Sequence, residues 1–104
     1  AYDGWMSVVP RDVVFDGRIT AGAGLSMLFY DAAAQARRVR CPLLVCISDR
    51  EDLMDPAIAV RVSRMAPRGE AIHYPTDHFE VYHPPFVERI VADQVAFLVK
   101  HLRP

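Results

Sequence analysis

The stretch that decides the fold is Pro42-Leu43-Leu44-Val45-Cys46-Ile47-Ser48, continued by Asp49-Arg50-Glu51-Asp52. A short, continuous apolar run bounded by proline and acids has the pattern of a strand buried on both faces, as strands of a parallel sheet are. Immediately downstream, Asp55-Pro56 predicts a helix start, with Asp as the N-cap and Pro in the first helical position. Ile58, Val62, Met65 and Ala66 give that helix one apolar stripe, and Pro67-Arg68-Gly69 ends it. Residues 70–75 then form a second short strand, with Ile72 and Tyr74 on one side. Residues 76–84 are a loop. Residues 86–102 make a long helix in which Val87, Val91, Val95, Leu98 and Leu102 recur three or four apart, and that stripe is expected to pack on the sheet.

Strand, helix, strand, loop, helix is a βαβα unit. Its crossover is expected to be right-handed and its strands parallel. Two strands are too few for an independent sheet, so a strand edge is left open to pairing, self-association included. Upstream the pattern weakens. Residues 1–17 show no sustained period and are expected to be irregular or a short linking strand. Residues 19–38 are rich in Ala, Leu and Met, with Leu25, Leu28 and Phe29 at helical spacing, which predicts one or two helices. Asp31 is placed to cap the second, over residues 32–38.

Composition narrows the function classes. The chain has 104 residues, 52% hydrophobic and 24% charged, with a formal net charge of -1. That is the size and balance of one soluble folded unit of α/β class. The basic residues are scattered among acids, so no nucleic-acid stripe forms. Every apolar stretch is interrupted well before the roughly 20 residues that a membrane crossing needs. Cys41 and Cys46 sit in or beside one strand, five residues apart, and cannot bridge, which points to a reducing, cytoplasmic setting by default. Because the first residue is Ala1, any targeting segment would lie on a portion not present here.

The chemistry-bearing residues cluster where such folds keep their sites. In open α/β sheets ligands gather beyond the carboxyl ends of the strands, and the acids of 49–52 and His78 both follow such ends. A histidine acting as general base needs a carboxylate on its other ring nitrogen to fix the tautomer and stabilise the imidazolium. Adjacent parallel strands supply one group each. The plain alternative is that Asp49, Glu51 and Asp52 solvate a loop and cap the next helix, and that His78 is a surface residue, the commoner situation for such residues in general.

Cys41-Pro42-Leu43-Leu44-Val45, then Asp49-Arg50-Glu51-Asp52 with Pro56 beyond, and Asp77-His78-Phe79 ahead of an amphipathic helix resemble the carboxyl-terminal third of an α/β-hydrolase. The resemblance covers residues 39–102. It implies a partial α/β-hydrolase sheet over 39–104, preceded by a cap-like or linking helical segment over 1–38. In that family the strand runs into a Gly-x-x-Asp-x-x-x-Pro turn bearing the triad acid, and the histidine follows in Gly-His-Phe or Gly-His. Here Ser48 fills the first glycine slot and Asp77 the second. Three positions after Ser48 is Glu51, while four before Pro56 is Asp52. The acid is therefore Asp52 or Glu51, with Asp52 slightly favoured because Asp is the usual acid and Asp49 least favoured. His78 is the expected base. His73 falls in the strand, and His83 and His101 read as surface or packing residues.

The resemblance implies hydrolysis of a carboxylic ester or related bond of a small molecule, with no cofactor. The nucleophile is the missing part. Gly24-Leu25-Ser26-Met27-Leu28 approaches Gly-x-Ser-x-Gly but lacks the last glycine. Only about 25 residues separate Ser26 from the acids, fewer than the roughly 30 that one βα pair takes, so Ser26 is not expected to serve. Cys46 and Cys41 read as packed thiols of low reactivity. His78, Glu80 and His83 do not have a trusted metal-ligand spacing. The chain is thus expected to hold an acid and a histidine, or else to be a non-catalytic structural or interaction module.

Overall fold

The computed structural model describes residues 2–14, 18, 20–27 and 30–102. In chain order its elements are helix α1 (Tyr2–Val8), helix α2 (Ala21–Met27), a 3-10 helix (Ala33–Arg38), strand β1 (Leu43–Ser48), helix α3 (Pro56–Met65), strand β2 (Gly69–Tyr74), a 3-10 turn (Glu80–Tyr82) and helix α4 (Phe86–His101).

The apolar run after Pro42 forms β1, and its parallel partner is β2, in register from Leu43 opposite Gly69 to Ser48 opposite Tyr74. The two strands make a two-stranded parallel sheet, so the βαβα order read from the sequence is the one observed. Asp55 caps α3 as expected, its carboxylate accepting from the Ala57 amide at 2.9 Å, with Pro56 in the first turn. Gly69 opens β2 because a β-carbon there would run into the carbonyl of Ser63 in α3; the absence of a side chain lets the strand turn back closely against the helix.

The core is small. Ile47 and Tyr74 are 1% exposed and Ala36, Ala66 and Ile90 are also buried, so the sheet end and its two flanking helices hold most of the sequestered apolar surface. Tyr74 is fixed at its polar end by donating to the Asp93 carboxylate on α4 at 2.8 Å. Burial first, and then that carboxylate, push the Tyr74 hydroxyl's pKa upward, so it stays a neutral donor. Arg89 of the same helix lies over the Tyr74 ring at 5.9 Å.

Expectations change at two of the helices. Tyr2–Val8 is helical rather than irregular or extended. Tyr2, Trp5, Met6 and Val9 do recur at helical spacing, and the helix leans on the sheet end through Trp5, whose ring meets Phe79 edge-on at 5.6 Å. Gly4 permits this, since a β-carbon there would strike the Phe79 ring. The segment over 19–38 gives α2 and a 3-10 helix whose Ala34 amide donates to Asp31 at 3.0 Å, while Leu28 and Phe29 lie outside the described residues. The second of these is α4. Ile90 is its buried residue, and Val91, Val95, Leu98 and Leu102 are 49–70% exposed instead of packing on the sheet. A two-stranded sheet is too narrow to cover that stripe. Cys41 and Cys46 are both free thiols, and Cys41 is exposed rather than interior.

Candidate active site

β1 ends at Ser48 and β2 at Tyr74, and the chain beyond each end continues to pair for a few residues. The Asp49 amide donates to the Tyr74 carbonyl at 2.9 Å and the Arg50 amide to the Thr76 carbonyl at 3.0 Å. Thr76, wholly buried, donates from its hydroxyl to that of Ser48 at 3.2 Å. These bonds bring the acid loop and the histidine loop side by side at the carboxyl edge of the sheet.

There His78 Nδ1 lies 2.8 Å from Glu51 Oε2. Glu51 uses its other oxygen to accept from the Leu53 amide at 2.9 Å, so both oxygens are engaged. Burial raises the Glu51 carboxyl, but the Leu53 amide, the His78 bond and the His78 charge together outweigh it and leave the pKa below its usual value. An ionised carboxylate can only accept, so Nδ1 of His78 carries the proton and Nε2 is the basic nitrogen. Among the described residues Nε2 makes no hydrogen bond. The pair is sheltered, with 23% of the His78 side chain and 10% of that of Glu51 exposed, and the His78 ring meets Phe79 edge-on at 4.9 Å.

Of the residues expected from the sequence, the structure brings Glu51 and His78 together and leaves Asp52 apart. Among the described residues the Asp52 carboxylate has no hydrogen bond or ion pair, and the residue is exposed. The turn after Ser48 points the third residue, not the fourth, at the histidine loop. Asp49 bonds a different histidine, His73 Nδ1 at 2.6 Å, with both side chains about half exposed. His83 Nε2 meets the Ser7 hydroxyl at 3.1 Å, and His101 packs on Phe97 and reaches Glu70 at 3.2 Å. Ser26 donates to the Gly22 carbonyl of its own helix at 3.0 Å. Among the described residues no group of three or more His, Cys, Asp or Glu side chains is placed to hold a metal ion.

The loop around His78 is knitted by groups that the sequence pattern did not single out. Arg50 donates from one guanidinium nitrogen to the Pro75 carbonyl at 2.8 Å and to Glu80 Oε2 at 2.6 Å. Glu80 Oε2 also accepts from the Asp77 amide, and Asp77 Oδ1 accepts from the Phe79 and Glu80 amides, each at 2.8 Å. Those two amides hold the Asp77 carboxyl below its usual pKa. The available signal was the Asp-x-x-Glu spacing of Asp77 and Glu80, the pattern of a small capping box.

His78 and Glu51 line a cavity of about 360 Å³ with Ser48, Tyr74, Val87 and Ile90. A second, of about 490 Å³, shares Cys46, Ser48 and Glu51 with it and is lined further by Leu53, Met54 and Ile58. An imidazole held at Nδ1 by a sheltered carboxylate, beside apolar hollows, is equipped to take a proton on Nε2 from a nucleophile and return it to a leaving group.

No family model matches the chain, and no solved structure matches it. Among curated proteins it is similar to the quorum-quenching protein AidA of Acinetobacter baumannii, with 29% identity over 98 residues. The match takes in 94% of this chain and 32% of that protein, so the chain spans about a third of its relative's length. Among the described residues no helix is long and apolar enough to cross a membrane.

Proposed function

We propose that this chain supplies the histidine and the acid of an α/β-hydrolase-like enzyme that cleaves a carboxylic ester or related bond of a small molecule. The observation that carries the reading is the sheltered bond between His78 Nδ1 and Glu51 Oε2 at the carboxyl ends of two parallel strands. In this scheme His78 Nε2 takes the proton of a serine hydroxyl as that oxygen attacks the carbonyl carbon, then delivers it to the departing oxygen or nitrogen. Glu51 keeps Nδ1 protonated and stabilises the imidazolium between those steps. Asp52 has no part in it. The nucleophile and the oxyanion donors come from polypeptide outside these 104 residues, so the chain alone turns over little substrate. No cofactor is needed.

The relative's length fits this division, since two thirds of that protein has no counterpart here. Its name makes a quorum signal the first substrate to try. The test is a serine-reactive fluorophosphonate probe applied to a protein of the relative's length that includes this segment. Labelling of one serine in a Gly-x-Ser-x-Gly turn, lost on His78→Ala, is the expected result; no labelling, or labelling indifferent to His78, contradicts the proposal.

A second reading has its own observation. Among the described residues the outer edge of β1 has no strand partner and the α4 stripe of Val91, Val95, Leu98 and Leu102 is open, which suits a structural or interaction module that pairs with another strand, a second copy included. A full-length protein that never labels, together with a 104-residue chain that sediments as a dimer, would favour it.

A further inference from the structure

Besides the Glu51–His78 bond, three hydrogen bonds from one residue, Arg50, tie the acid loop to the histidine loop. We propose that Arg50 is a positioning residue, which sets the place of His78 relative to Glu51 by clamping the loop on both sides of the histidine. The inference rests on the functional reading above for its purpose, but its geometry and its test stand apart from it.

Arg50 precedes Glu51 in the chain, so whatever Arg50 grips is registered against the acid. Its guanidinium holds the Pro75 carbonyl at 2.8 Å, three residues before His78, and Glu80 Oε2 at 2.6 Å, two residues after. Its amide holds the Thr76 carbonyl at 3.0 Å. Glu80 passes the constraint inward by accepting from the Asp77 amide, and Asp77 closes the ring on the Phe79 and Glu80 amides. His78 thus sits within the six-residue stretch from Pro75 to Glu80, whose ends are both tied to the residue beside its acid. Both bonds leave from one guanidinium nitrogen, so a lysine ammonium, with donors enough but a differently shaped stem, would keep part of the clamp.

A purely structural salt bridge would behave differently. The Arg50–Glu80 pair has side-chain exposures of 60% and 41%, and ion pairs this exposed contribute little to stability. Lys100 and Glu70 form a matching pair elsewhere on the protein, at 2.9 Å and 59% and 44% exposure. It is the internal control. If Arg50 only stabilises the fold, Arg50→Ala and Lys100→Ala should have the same small effect on everything.

The experiment is NMR of the 104-residue chain, following the Nδ1 proton of His78, with thermal unfolding of each variant alongside. Arg50→Ala should speed exchange of that proton with water about tenfold, the signature of a charge-assisted hydrogen bond that is no longer held in place. Arg50→Lys should recover part of the protection. Lys100→Ala should leave it unchanged while lowering Tm as much as Arg50→Ala does. Exchange in Arg50→Ala that equals the parent, or an equal acceleration in Lys100→Ala, overturns the proposal. Should Arg50→Ala fail to fold, Arg50→Lys and Glu80→Gln give the same reading, and an unchanged His78 proton in both is the contrary result. In a protein of the relative's length, Arg50→Lys should lower kcat several-fold with KM held. A protein that fails to label with fluorophosphonate ends the hydrolase reading and leaves the NMR result standing.

Discussion

Two acid–histidine pairs bridge the ends of β1 and β2, and by distance they are equivalent: Glu51–His78 at 2.8 Å and Asp49–His73 at 2.6 Å. Their surroundings differ. The first pair is mostly sequestered, its acid doubly bonded, its histidine on a loop tied at both ends and facing a cavity. The second has side-chain exposures of 48% and 50%, and its histidine is held on the strand opposite Ile47. An exposed pair is screened by water and contributes little, whereas a sheltered one fixes a tautomer and an orientation. The comparison teaches that contact between an acid and a histidine does not make a candidate dyad; shelter and a place on a cavity do.

The largest expected effect separates the two histidines by activity. In a protein of the relative's length, His78→Ala should lower kcat/KM for an activated ester by about 10³-fold or more, as loss of a general base does. His73→Ala should stay within about threefold, since its pair is a solvated surface contact. Equal losses would dissolve the distinction.

A smaller effect concerns stability. Thr76 has zero exposure and donates to Ser48 where the two loops meet, so Thr76→Val leaves the Ser48 hydroxyl without that partner and should cost about 1–2 kcal/mol in denaturant unfolding. Asp49→Asn should change stability by less than about 0.5 kcal/mol. If Asp49→Asn costs as much as Thr76→Val, the exposed pair is structurally more important than its exposure suggests.

The smallest effect is in acid. The folded protein holds the Glu51 and Asp77 carboxyls below their ordinary values of 4.5 and 3.8. Groups with depressed folded pKa values bind protons more readily when unfolded, so their contribution is complete above pH 4.5 and is lost as pH falls through the folded values. Tm measured from pH 7 to pH 3 should decline at the acid end, and Glu51→Gln should make that decline shallower. A slope that Glu51→Gln leaves untouched would mean that the sheltered carboxylate is not a stabilising one.

Much of this was legible in the sequence, for reasons that differ by segment. The apolar run at 43–48, the Asp55-Pro56 start and the stripe of α3 are strong local signals, and each element formed where its pattern lies. That His78 would approach an acid was legible because the loops after adjacent parallel strands leave the same edge of the sheet. Which acid meets it was not, because that depends on the turn of one residue after Ser48, settled by the Leu53 amide gripping Glu51. The exposure of Val91, Val95 and Leu98 was likewise hidden: their spacing announces an apolar face, while the width of the sheet decides whether anything covers it. Helix α1 was missed because seven residues with no buried side chain carry only a faint period, and its contact with Phe79 is long-range.

The central claim is that Glu51, and not its neighbour, is the acid that serves His78. It is tested most directly by kcat/KM for ester hydrolysis of Glu51→Gln beside Asp52→Asn, in a protein of the relative's length. The structure predicts a loss of about 10³–10⁴-fold for Glu51→Gln, the scale seen when a triad acid is made neutral, and a change within about threefold for Asp52→Asn. The reverse order, with Asp52→Asn the damaging change and Glu51→Gln tolerated, would contradict it.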